Sequence, residues 1–94
     1  MEDNYLDDPE FQELIQQYID YLKETLPELK ANIEKRDFPA LRKYGHNMKG
    51  SGGGYGFANL TELGKKMEAA ALAEDINKYQ DYVRQLEDFL NQQA

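Results

Sequence analysis

The sequence predicts an all-α protein folded as an antiparallel up-down-up-down four-helix bundle, and three observations carry that prediction. Apolar residues recur at three- and four-residue spacing through four separate stretches. Aspartate stands at the start of three of them, at Asp8-Pro9, Asp37-Phe38-Pro39 and Asp75-Ile76, where a capping acceptor belongs. No stretch alternates apolar and polar residues as a strand does, and connections of a few residues bring consecutive helices together antiparallel.

The first helix starts at Asp8, with proline in its first turn and Glu10 near the positive end of the helix dipole. Phe11, Leu14, Ile15, Tyr18, Ile19, Leu22, Leu26, Leu29 and Ile33 mark one stripe down to Lys35-Arg36, which makes this the longest element. Pro27 removes one backbone donor, so a kink or short break is expected near Lys23 to Leu26. The unbroken phase of the stripe favours the kink. The second helix runs from Phe38 to about Tyr55, with Phe38, Leu41, Tyr44 and Met48 on its buried face and Gly56 closing it. Asn59 with Glu62 fits a capping box for a third helix, whose stripe is Leu60, Leu63, Met67, Ala70 and Ala71 and which ends near Ala73. Asp75 caps a fourth, with Ile76, Tyr79, Val83, Leu86, Phe89 and Leu90 inward. The seven tyrosines fall mostly on core positions by their spacing.

A 94-residue chain without cysteine reads as one small domain over residues 1–94, braced by packing alone. No apolar run approaches the roughly 20 residues that span a bilayer, and the start M-E-D-N-Y-L-D-D lacks the basic residues of a signal peptide. A soluble, cytoplasmic protein with no membrane partner is expected. The net charge of −7 argues against nucleic acid, whose phosphates repel an acidic surface.

The functional interest concentrates in Gly45 to Phe57, which contains the single histidine and six of the seven glycines. On a wheel of roughly 100° per residue His46 lies about 160° from the buried stripe, so its imidazole faces water. Arg42, Lys49, Gly50 and Gly53 share its face, and Lys43 adds a third cation to the cluster. Each glycine inside a helix costs roughly 1 kcal/mol relative to alanine. One account ends the helix at Gly50 and leaves a loop. The other continues it, as Gly52 and Tyr55 in the stripe suggest, and uses the small residues to let a partner's surface approach His46.

Several chemistries fail on these residues. No Gly-Lys-Ser/Thr follows a strand, and the G-x-G-x-x-G spacing is not met, so a nucleotide loop is excluded. One histidine without cysteine makes no convincing metal site. A histidine-kinase dimerisation segment would follow its histidine with an acidic residue and a nearby proline. An exposed neutral imidazole, with histidine's reference value near about 6.5, is a competent nucleophile, and nearby cations favour the neutral form.

His46-Asn47-Met48-Lys49-Gly50-Ser51, followed by Gly53, Tyr55, Gly56 and Phe57 and then Leu60, Leu63 and Met67-Glu68, resembles the signature of histidine-containing phosphotransfer domains. The likeness covers the second and third helices closely, and the outer helices in length and pattern. Gly45 and Met48 depart from it, standing where the family more often has a bulkier small residue and leucine. The resemblance implies a four-helix bundle acting as a phosphorelay intermediate. His46 would accept a phosphoryl group from a receiver-domain aspartyl-phosphate and pass it to another receiver. Lys49 would steady the phosphoryl oxygens, while Gly50 and Gly53 would let the receiver close over the imidazole. Such a carrier has no nucleotide site and needs no cofactor of its own, the Mg²⁺ being carried by the receiver partner. Arg42 and Lys43 would draw in that partner's carboxylate-rich site. The competing reading is a helical adaptor in which His46 is never phosphorylated.

Overall fold

The computed structural model describes residues 8–93, which form four helices: α1 (Pro9–Lys35), α2 (Phe38–Gly52), α3 (Ala58–Leu72) and α4 (Ile76–Asn91). The acidic N-terminal stretch before Asp8, with Tyr5, lies outside the described residues. No strand occurs among those described.

The starts of α1, α2 and α4 follow the aspartates. Asp8 accepts from the Glu10 amide at 2.8 Å, Asp37 from Ala40 at 3.2 Å and Asp75 from Lys78 at 3.1 Å, each satisfying a donor the first helical turn leaves free. α3 differs from the expectation. It begins at Ala58 behind Phe57, with no side-chain cap, so Asn59 and Glu62 sit inside the helix and form no capping box. The chain arrives there from a tight turn that fixes the start without a side-chain acceptor.

That turn follows α2, which gives way to a single 3₁₀ turn over Gly53–Tyr55 before Gly56 ends it at φ 88°. Gly56 N–H donates to the Gly53 carbonyl and Phe57 N–H to that of Gly52, both at 3.0 Å, closing the helix as a left-handed glycine does. The helical path thus reaches Tyr55, with its last turn tightened. α1 and α3 end on the same hydrogen-bond pattern, but with Arg36 at φ 56° and Glu74 at φ 54° in the left-handed position. α1 passes through Pro27 as one helix of 27 residues, about 40 Å at 1.5 Å per residue, within a molecule 45 Å long.

Cross-links between neighbours give the topology. Tyr18 meets Ser51 and Thr25 meets Tyr44, so α2 runs antiparallel to α1. Gly45 faces Gly64 and Glu68 while Gly52 faces Leu60, which sets α3 antiparallel to α2. Phe57 packs edge-on against Phe89, 5.3 Å between ring centres, with α4 descending from α3. Lys30 pairs with Glu87 and the Lys23 ammonium reaches the Gln93 carbonyl, so α4 closes the ring against α1. The core joins Tyr18, Ile19, Leu22, Leu29 and Ile33 of α1 to Leu41 and Met48, to the whole α3 stripe, and to Tyr79, Val83, Leu86 and Leu90. The Tyr79 hydroxyl, wholly enclosed, donates to the Leu41 carbonyl at 2.8 Å. Burial raises the pKa of that phenol and also pushes Tyr44 up to about 12.

Two apolar expectations are corrected. Leu14 is 48% exposed rather than core, because that turn of α1 stands beside the 3₁₀ turn, where no helix covers its outer edge. Of the described tyrosines Tyr18 and Tyr79 are buried, Tyr44, Tyr55 and Tyr82 are partly covered, and Tyr21 is 56% exposed. Their hydroxyls keep most of them at the edge of the core, where a polar tip can reach water or a partner.

Candidate functional site

α2 carries His46 at its middle with the side chain 61% exposed, as the helical wheel requires. Around it, one turn toward the N-terminus, Arg42 and Lys43 border an open depression with Pro39 and the imidazole itself. Neither makes an ion pair among the described residues. One turn the other way stands Gly50, where an added Cβ would meet nothing within 4 Å. Toward α1, beyond Asn47 and Ser51, lies a groove floored by Tyr18 and Tyr55 and edged by Leu14, Gln17 and Tyr21. Tyr18 and Tyr55 stack there with centroids 4.3 Å apart, and the Tyr18 hydroxyl shares a 2.8 Å hydrogen bond with Ser51.

On the α3 side the structure adds a residue that the site reading of the sequence did not single out. Glu68 places Oε2 3.1 Å from His46 Nδ1 and accepts from Lys49 Nζ at 2.9 Å through Oε1. The carboxylate is 15% exposed and the lysine 34%. The Lys49 hydrogen bond, aided by that of His46, holds the Glu68 carboxyl below the usual range, against the opposing effect of burial, so it is ionised at neutral pH. An ionised carboxylate accepts only, so the neutral imidazole carries its proton on Nδ1 and presents the Nε2 lone pair outward. The three-cation cluster is therefore divided: Lys49 is neutralised by Glu68, while Arg42 and Lys43 remain open to a partner.

Close helix packing is what lets Glu68 reach across. A Cβ on Gly64 would lie 2.4 Å from the Lys49 amide nitrogen and 2.7 Å from the Gly45 carbonyl oxygen. One on Gly45 would lie 2.7 Å from the Glu68 amide nitrogen. Gly52 is equally closed, with Leu60 Cβ at 2.8 Å. These glycines serve the α2–α3 contact inside the protein, not a partner. Gly50 and Gly54, where an added methyl would have no neighbour within 4 Å, are the ones that leave the outer surface bare. Gly53 is intermediate: it is exposed, its amide donates to Thr61 Oγ1 at 2.8 Å, and a Cβ there would sit 3.2 Å from the same oxygen.

The described residues contain no group of histidine, cysteine and acidic side chains able to hold a metal, and no helix long and apolar enough to cross a membrane. Comparison with curated proteins and with solved structures gives no match. A family model, that of the Hpt domain, matches residues 13–94 and so takes in all of α2, α3 and α4 and most of α1. With four helices, an outward histidine on the second and a match over most of its length, the chain belongs to the Hpt domain family, the histidine phosphotransfer modules of phosphorelays.

Proposed function

We propose that His46 is the phosphorylated residue, accepting a phosphoryl group at Nε2 from an aspartyl-phosphate of a receiver domain and passing it to the aspartate of another. The observation that carries this reading is the exposed imidazole whose Nδ1 is engaged by Glu68 while Nε2 faces solvent. In the step proposed, the Nε2 lone pair attacks phosphorus as the P–O bond to the receiver's aspartate breaks. The aspartate leaves as a carboxylate, and the Nδ1 proton stays on the ring beside Glu68. The return step reverses these changes. Little covalent work falls to the protein, so positioning and charge stabilisation dominate.

Lys49 takes the stabilising role in this scheme. Its ammonium lies one turn from His46 and, on phosphorylation, has new anionic oxygens to meet in addition to Glu68 Oε1. Arg42 and Lys43 are assigned to docking, where free cations offset the repulsion between a chain at −7 and a carboxylate-rich receiver site that carries its own Mg²⁺. Gly50 and Gly53 leave room above the helix for that site to close on the imidazole.

The test is incubation with phosphorylated receiver domains and detection of acid-labile, base-stable phosphate. His46→Gln is expected to keep its helical circular dichroism and lose all labelling. Labelled phosphate on the folded variant would refute the proposal and favour an adaptor that binds without chemistry.

A further inference from the structure

Resting on the assignment of His46 as the phosphorylated residue, the geometry points to a second role for Glu68: we propose that it is a positioning residue that retains the proton on Nδ1 of the phosphorylated ring and thereby keeps the phosphoryl group transferable at neutral pH.

The chemistry begins with the leaving group. When Nδ1 carries its proton, the phosphorylated ring releases its phosphoryl group by returning the N–P electron pair to Nε2, and a neutral imidazole departs. With water as acceptor, the ring cation bearing PO₃²⁻ and one H₂O become neutral imidazole and H₂PO₄⁻, with atoms and charge conserved. When Nδ1 has lost its proton, the same cleavage must expel an imidazolate anion, a far poorer leaving group. The lability of the phosphoryl group therefore follows the occupancy of Nδ1 by its proton.

The groups facing the ring act on that proton in opposite directions. On its own helix Arg42, Lys43 and Lys49 are cations that disfavour a charged ring. Across the α2–α3 contact Glu68 supplies the opposing charge, 3.1 Å from Nδ1 itself. On the α1 side the neighbours beyond Asn47 are uncharged at neutral pH: Gln17 and the phenols of Tyr18 and Tyr21. Glu68 is thus the one anion at the ring among the described residues that border it. It cannot easily draw back, because Gly45 and Gly64 bring the two backbones into contact at this level. Arrival of the phosphoryl group strengthens the arrangement. Lys49 is drawn toward the new oxygens, its hold on Glu68 Oε1 weakens, and the carboxylate becomes a better acceptor for the Nδ1 proton.

The test separates this role from the receiver reading by loading His46 chemically. Wild type and Glu68→Gln, an isosteric change that keeps a hydrogen-bond acceptor but removes the charge, are phosphorylated with phosphoramidate. Decay of the phosphohistidine is followed by ³¹P NMR from about pH 5 to about pH 10, and ¹⁵N NMR of the ring reports the Nδ1 proton directly. Loss of an opposite charge at this distance is expected to move the midpoint of the pH profile down by about one unit, making the variant's phosphohistidine about tenfold longer-lived above both midpoints. Coincident midpoints, or a lifetime change of the same size at every pH, would overturn the inference. So would a folded wild type that phosphoramidate fails to load. The shifted profile without exchange to any receiver would uphold the role of Glu68 and remove the receiver reading instead.

Discussion

Adding one methyl group at Gly64 and one at Gly50 is expected to change stability in opposite directions, although both replace a helical glycine by alanine. At Gly64 the new Cβ would meet the Lys49 amide nitrogen at 2.4 Å, the Gly45 carbonyl oxygen at 2.7 Å and the Lys49 Cα at 2.9 Å. All three are backbone atoms, so no rotamer change relieves them. α2 and α3 must part by about 1 Å to restore ordinary contact, against packing that is optimal at roughly 3.5–4.0 Å. Overpacking of this kind costs typically 1–3 kcal/mol, and the rigid neighbours place Gly64→Ala at about 3. The helix-propensity gain returns about 1 kcal/mol. The net loss is about 2 kcal/mol, or roughly 8–16 °C in Tm for a domain of this size. At Gly50 nothing lies within 4 Å of the added atom, so Gly50→Ala keeps the propensity gain and is expected to rise by roughly 4–8 °C. Thermal and urea unfolding followed by circular dichroism measure both. A Gly64→Ala variant within about 0.5 kcal/mol of wild type, the range of a neutral surface change, would refute the claim that backbone contact fixes the α2–α3 spacing.

Two further outcomes are expected. Neutralising Arg42 and Lys43 together should slow association with a phosphorylated receiver, and raising ionic strength should erase most of that effect, since exposed charges are screened beyond roughly 8 Å at physiological salt. Lys49→Ala should instead slow transfer at saturating receiver and resist salt; equal, fully salt-sensitive losses in stopped-flow transfer assays would reduce Lys49 to steering. Alkaline stability follows from the buried phenols. Tyr44, pushed up to about 12 chiefly by burial, holds its proton more tightly folded than unfolded, as does Tyr79. The stability they confer is complete below about pH 10, where the unfolded phenol titrates, and is lost as pH rises toward 12. Tyr44→Phe should flatten that fall in urea titrations across this range, and an unchanged slope would contradict it.

The four helices were legible in the sequence because their determinants are local. Stripes at three- and four-residue spacing, with Asp8, Asp37 and Asp75 at the starts, act within a turn or two of chain and need no knowledge of neighbours. The outward aim of His46 followed from the same periodicity, since the residues opposite it on α2, Leu41 and Met48, are buried. Where the stop came from a turn rather than a cap, as before Ala58, the local signal at Asn59 and Glu62 misplaced the start of α3 by about one residue. Tertiary structure alone decided the rest of the site. Glu68 lies 22 residues from His46, and its meeting with Nδ1 depends on the α2–α3 register, which no pattern within either helix encodes. That register is set where Gly45, Gly52 and Gly64 let two backbones touch, so the glycine run divides by environment: Gly45 and Gly52 close an internal contact, and Gly50 and Gly54 stay open to the outside. In the sequence those glycines are alike. They differ because helix packing is specified by the fit of two surfaces, and such a fit exists only once both helices are in place.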